Sequence, residues 1–349
     1  MTAVIFMGRL AARLENEFLR VTVLKEGGHI AEVFDKRAGV SPLWVPHWAS
    51  MEPSKFASDR PNRFGTGDDA KLLAGIMGHN LCLDLFGGPS REEAASGLTV
   101  HGEASVDRYD ITEFPDQLVM RLILPLAQLR FSRSIQLHDE HIRIHESVGN
   151  LTAIDRPLAW TEHVTLGPPF LDPATTQFSA SMTRSMTSVS DPGFDAYLTP
   201  GMEFTWPAAP RSHGGFADLR QMKSTAPASG FTTHLADPHH EHAYFTAFSP
   251  QFRLAFGYIW KRADFPWLGI WEENCSRQAS PWDGRTVTRG MEFGVSPFPE
   301  TRREMIERNR LMDVPTYKWL PAHGRLEVEY WISSKVAEGI PESFEWPEI

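Results

Sequence analysis

Along much of the chain apolar and polar residues alternate one for one. Leu19, Val21 and Val23 do so near the start, Ile142 and Ile144 in the middle, and Leu326, Val328 and Tyr330 between Arg325, Glu327 and Glu329 near the end. A period of two places successive side chains on opposite faces, so each run predicts a half-buried β-strand. Other segments are apolar almost throughout, namely 119–126 (VMRLILPL), 243–248 (AYFTAF) and 252–260 (FRLAFGYIW), and these predict strands covered on both faces. Helical periodicity is scarce. Its clearest instance runs from Thr301 to Leu311, where Thr301 and Glu304 stand at capping-box spacing.

Gly27-Gly28 separates the first two strands, and DKRAG at 35–39 turns the chain before PLWVP, which predicts a meander of antiparallel neighbours. Between Pro168 and Gly230 the chain is rich in Pro, Gly, Ser and Thr, as expected for long loops and short strands. Internal repeats and low-complexity tracts are not visible. The expected fold is all-β: a large antiparallel β-sandwich with few short helices.

Composition narrows the function. Apolar residues make up 42% of the 349, enough for a substantial core. A net charge of −10 works against phosphate-backbone or anionic-membrane binding, so the expected partner is a neutral small molecule, with no nucleic acid and no membrane. Cys82 and Cys275 lie far apart with no CxxC spacing, which predicts two reduced, buried thiols. The run VIFM is too short for a signal sequence and no stretch reaches transmembrane length, so the cytoplasm is the expected compartment, for a monomer or homodimer.

Three polar residues stand in or beside strand-like stretches: His101 in VHGEA, His163 in WTEHVTLG and Glu292 in RGMEFGVSP. A carboxylate base facing an imidazole acid suffices to open and reclose a sugar hemiacetal, with no cofactor. Each residue also has a plain structural reading: a hydrogen-bonded histidine among the 14 in the chain, or a buried ion pair for Glu292. Glu272 and Glu273 in WEEN suggest a glycosidase pair, but neighbours on a strand point to opposite faces, so at most one, Glu273, joins the site. Trp271 beside them is a candidate for stacking on a sugar ring. In PHHEHAY, His240 and His242 share a strand face and would need a third ligand, His141 or His145, to hold a metal; Asp237 is a candidate hydroxyl ligand. The candidate residues lie on both sides of the Pro168–Gly230 segment, so 1–349 reads as one domain.

Together these pieces resemble the galactose mutarotase, or aldose 1-epimerase, superfamily over nearly the whole length. NEFLRVTVLKEGGHIAEVFDKRAGVSPLW resembles its opening strands, VHGEA its His-Gly-Gly segment, EHVTLG its Asn-His-Ser-Tyr-Phe-Asn-Leu segment, RGMEFGVSPFP its Leu-Glu-Thr-Gln stretch with a proline five residues on, and WLPAHGRLEVEYWIS its closing strand. The resemblance implies Glu292 as general base, His163 as general acid and His101 as a positioning group acting on a carbohydrate. GHNLCLDLFGG at 78–88 stands near the family's Asn-Arg pair, making Asn80 and His79 candidate binders, while the arginine has no counterpart and Glu103 replaces the second glycine of His-Gly-Gly. Two other readings of the chain are a non-catalytic carbohydrate-binding or sensing module, and a metal-dependent sugar isomerase or lyase built on His240 and His242.

Overall fold

In the computed structural model, which describes residues 4–57, 63–189, 195–341 and 343–347, the alternating runs become two large sheets. One has eleven strands and begins with the sequential meander Val4–Phe6, Arg9–Glu15, Leu19–Leu24 and Ile30–Asp35. It continues through His79–Leu83, Trp160–Leu166, Val287–Gly294, Trp267–Asn274 and Ala228–Ala236 to Met182–Thr187 and Glu203–Thr205. The second has eight, in the order Gln177–Ala180, His242–Ser249, Leu254–Lys261, Arg325–Val336, His141–Asn150, Leu129–His138, Gln117–Leu124 and Asp110–Glu113. Neighbouring strands in both sheets run antiparallel. The inner faces meet in one apolar cluster, with Leu81, Trp160, Val164, Met291 and Phe293 from one side and Phe131, Ile144, Phe245, Tyr258 and Ile332 from the other. This is the expected all-β sandwich.

The turns follow their residues. Gly27 and Gly28 have φ of 78° and 61°, a region that costs glycine nothing. The expected helix forms at Arg302–Arg308, shorter than the 301–311 pattern, with Thr301 and Glu304 closing the capping box. A second box, Ser90 with Glu93, starts the helix Arg91–Ala95. One strand departs from expectation: Gln117–Leu124 lies one strand from the sheet edge and alternates, leaving Arg121 and Ile123 exposed on its outer face. His242–Ser249 and Leu254–Lys261 are covered on both faces along most of their length, and part of the outer cover is the C-terminal tail. Cys82 is buried as expected, whereas Cys275 is partly exposed, and both thiols are free. Among the described residues no helix is long and apolar enough to cross a membrane.

A polar knot sits in the middle of the apolar core. Arg133 donates to Glu146 at 2.6 Å and to Glu162 at 2.8 Å. Tyr330 donates to the same two carboxyls at 2.8 and 3.1 Å, and the Trp160 indole reaches both. His79 Nε2 closes the group on Glu162 at 2.7 Å. A buried charge persists only when paired and hydrogen-bonded, and here each carboxyl has several partners.

Candidate active site

Across the centre of the eleven-stranded sheet, register aligns Asn80 with His163, His163 with Glu292, Glu292 with Gly269 and Gly269 with Thr233. Directly paired residues share a face, and this row faces away from the second sheet. The next row along the strands on the same face carries Thr165, Gly290, Trp271 and Phe231. Loops and the short helix Ala70–Gly75 cover the face and leave a cavity of about 340 Å³, lined by His101, His163, Glu292, Trp271 and a wall of further aromatics. Trp44 stacks on Trp282 with the ring planes 8° apart, and Trp282 meets Trp271 edge-on.

His163 Nε2 lies 3.1 Å from Glu292 Oε1, and the rings of His101 and His163 are 4.9 Å apart. Glycine makes room for the carboxyl: a Cβ on Gly290 would fall 2.4 Å from Glu292 Oε1. His101 arrives from a loop rather than a strand. It has a φ of 68°, unusual for a residue with a Cβ, and is pinned by its backbone N–H to the Gly87 carbonyl and by its own carbonyl to the Leu83 N–H. The following Gly102 must be glycine, because a Cβ there would fall 2.4 Å from the Leu83 carbonyl. His101 Nδ1 donates to the Phe86 carbonyl at 2.7 Å, which leaves Nε2 as the acceptor in the neutral ring.

Burial sets the electrostatics. It raises the Glu292 carboxyl from its ordinary 4.5 to about 8. It pushes His163 well below the usual imidazole range, helped by the neighbouring His101, and lowers His101 to about 4. Although the contact has ion-pair distance, both shifts favour the neutral forms, a protonated carboxyl beside an uncharged imidazole. The neutral imidazole keeps its proton on Nδ1, which donates to Thr165 Oγ1 at 3.0 Å, and turns Nε2 toward the Glu292 carboxyl.

The other sequence candidates scatter. Trp271 lines the cavity. Asn80 shares the row but lies beneath the cavity, its amide donating to Ser105 at 3.2 Å and its carbonyl oxygen unpartnered. His79 is corrected: one residue along the strand, it faces the inner core and belongs to the Arg133 knot. Asp237 is corrected as well. It sits in the turn after Ala228–Ala236, where it accepts from the His239 N–H and does not line the cavity. Glu273 does share the site face, whereas Glu272 points the other way and accepts from Tyr197 at 2.6 Å. Glu273 does not line the cavity; it accepts from the backbone N–H groups of Ser276 and Arg277 and holds the Arg277 guanidinium at 3.5 Å.

Arg277 was missed. It lies 5.3 Å from the Trp271 ring centre and 4.7 Å from that of Trp282, and lines the cavity with Asp68 and Asp69. All three stand in aperiodic loops, where spacing carries no signal. His240 and His242 do not converge: His240 faces Asp237, while His242 stacks on Trp346 at 4.4 Å. Among the described residues no group of three or more His, Cys, Asp or Glu side chains is placed to hold a metal ion.

No protein-family profile and no curated protein matches the chain. Solved structures do match. One, from Klebsiella pneumoniae and provisionally named an aldose 1-epimerase, superposes with a TM-score of 0.65 at 12% identity over 95% of this chain and 80% of its own. A galactose mutarotase-like protein from Clostridium acetobutylicum gives 0.61 at 14% identity over 96% and 98%. A galactose mutarotase related enzyme from Lactobacillus acidophilus gives 0.59 at 10% over 95% and 99%. At such identities the likeness speaks to architecture, and the architecture is unambiguous: this chain has the galactose mutarotase-like fold.

Proposed function

We propose that the protein is an aldose 1-epimerase-like isomerase that interconverts the anomers of a sugar. The observation that carries this reading is the 3.1 Å contact between His163 and Glu292 on the floor of a cavity walled by tryptophan. Moving the proton from carboxyl to imidazole yields the carboxylate and imidazolium that ring opening needs. Glu292 removes the proton from the C1 hydroxyl while His163 protonates the ring oxygen. The aldehyde rotates and recloses with the two roles reversed. His101 Nε2 is free to accept from a sugar hydroxyl, and Trp271 and Trp282 offer apolar faces to the ring. Asp68, Asp69 and Arg277 supply acceptors and donors for the remaining hydroxyls.

The test is exchange NMR of anomer equilibration over a panel of aldoses, comparing wild type with Glu292→Gln. Loss of the base is expected to cost about 10²–10⁴ in rate. Equal rates for the two proteins remove the assignment. Sugar binding by calorimetry with no acceleration of exchange would instead make this a binding module.

A further inference from the structure

The outer face of the eight-stranded sheet carries a second cavity, of about 280 Å³, formed where the C-terminal tail crosses the sheet. Its floor is another cross-strand row: Thr246 pairs with Gly257, Gly257 with Ser333, and Ser333 with His141. An outward-facing row of hydroxyl and imidazole groups is ordinary when water covers it. Here the tail covers it, and Thr246 is fully buried with its hydroxyl unpartnered. His141 Nδ1 is unpartnered too, as are His138 Nε2 and the Trp331 indole N–H on the same face. Buried polar atoms are nearly always hydrogen-bonded, so a cluster of unsatisfied ones beside a cavity marks a place where a partner is missing.

The roof is aromatic. Phe344 stacks on Tyr244, and the tail is held by Trp346 lying on His242, with Lys261 over the Trp346 ring at 5.9 Å. Gly257 keeps the floor low: a Cβ there would fall 3.2 Å from the Phe344 ring. The charged lining groups are Lys335 and Glu345, one of each sign, and Lys335 also stands 3.4 Å from Glu140. Such a lining offers no net charge to an ion. It does suit a ring with an apolar face and several hydroxyls, and its volume is close to the 340 Å³ of the first cavity.

We infer that this cavity is a second, non-catalytic carbohydrate site, which holds a neutral pyranose beside Phe344, within reach of the Thr246, Ser333 and His141 side chains. It shares no residue with the Glu292 cavity, so it stands or falls independently of the isomerase reading.

The test is a titration of the ¹⁵N-labelled full-length protein with neutral aldohexoses and 6-deoxyaldohexoses, following the indole N–H signals of Trp331 and Trp346 for the tail cavity and of Trp271 and Trp282 for the first. At least one sugar is expected to shift the tail indoles in a saturable manner. Its apparent affinity there should be unchanged in Glu292→Gln and at least tenfold weaker in Thr246→Val. Phe344→Ala, which alters only the tail, should weaken it by a similar factor and covers the case in which Thr246→Val does not fold. No shift of either tail indole up to the solubility limit of every sugar overturns the inference, as do shifts that the tail-cavity variants leave unchanged.

Discussion

Glu162 and His163 are adjacent on one strand and face opposite ways, and their surroundings could hardly differ more. Glu162 looks inward and is held by Arg133, Tyr330, Trp160 and His79. His163 looks outward and has two polar partners, Thr165 and Glu292, while Glu292 itself is raised by burial alone. The inner group is satisfied many times over and therefore fixed. The outer pair is buried, short of partners and poised between two protonation states. Buried polar groups with few partners beside a cavity mark chemistry; buried polar groups with many partners mark structure.

The sharpest way to break this contrast is to delete one member on each side. Glu292→Gln should remove about 10²–10⁴ of anomer exchange, while thermal unfolding at neutral pH leaves the fold as stable as before or more so, because an acid whose ionisation burial opposes has gone. Arg133→Met should do the reverse. It leaves Glu146 and Glu162 buried without their cation, at a cost of about 3–5 kcal/mol in denaturant-unfolding free energy. A variant that loses exchange activity yet keeps full stability at position 133 would erase the distinction.

Gly290→Ala tests positioning. The new methyl would displace the Glu292 carboxyl, and a shift of about 1 Å is worth about 10²-fold in rate, so exchange should fall with little change in melting temperature. The smallest effect is in pH. The folded-state pKa of Glu292 is raised, so between about 4.5 and about 8 the native protein holds a proton that the unfolded chain has released. Stability from this group is therefore full at low pH and lost as pH rises through about 8. The stability of Glu292→Gln relative to wild type should climb with pH across that window, by up to ~1.4 kcal/mol per unit. Glu146, also raised to about 8, contributes equally to both proteins and cancels in the difference.

Much of this was legible in the sequence because strands write their parity plainly. Alternation marked Leu19–Leu24, His141–Asn150 and Arg325–Val336, and the separation of Glu272 from Glu273 followed from the same rule. His101, His163 and Glu292, read from short motifs, meet at one cavity. The same rule, pressed further, held more than was taken from it. Ile142, Ile144 and Val148 face inward, which puts Glu146 in the core, and Phe131 and Ile135 do the same for Arg133. His79 and Asn80, as strand neighbours, point to opposite faces and could never both face the cavity. What parity cannot reach are the loops: Arg277, Asp68 and Trp282 are placed by tertiary packing of segments with no period.

The Arg133 knot has one more consequence, for how the chain finds its native pairing. A one-residue slip of Trp160–Leu166 would carry Glu162 into the cavity and turn His163 into the core. It would also take Glu162 away from Arg133 and leave the guanidinium with Glu146 alone in a dry interior. The buried ions thus penalise the very misregistration that would put the wrong side chain in the cavity, so the polar core of the sandwich acts as a proofreader for the face it never touches.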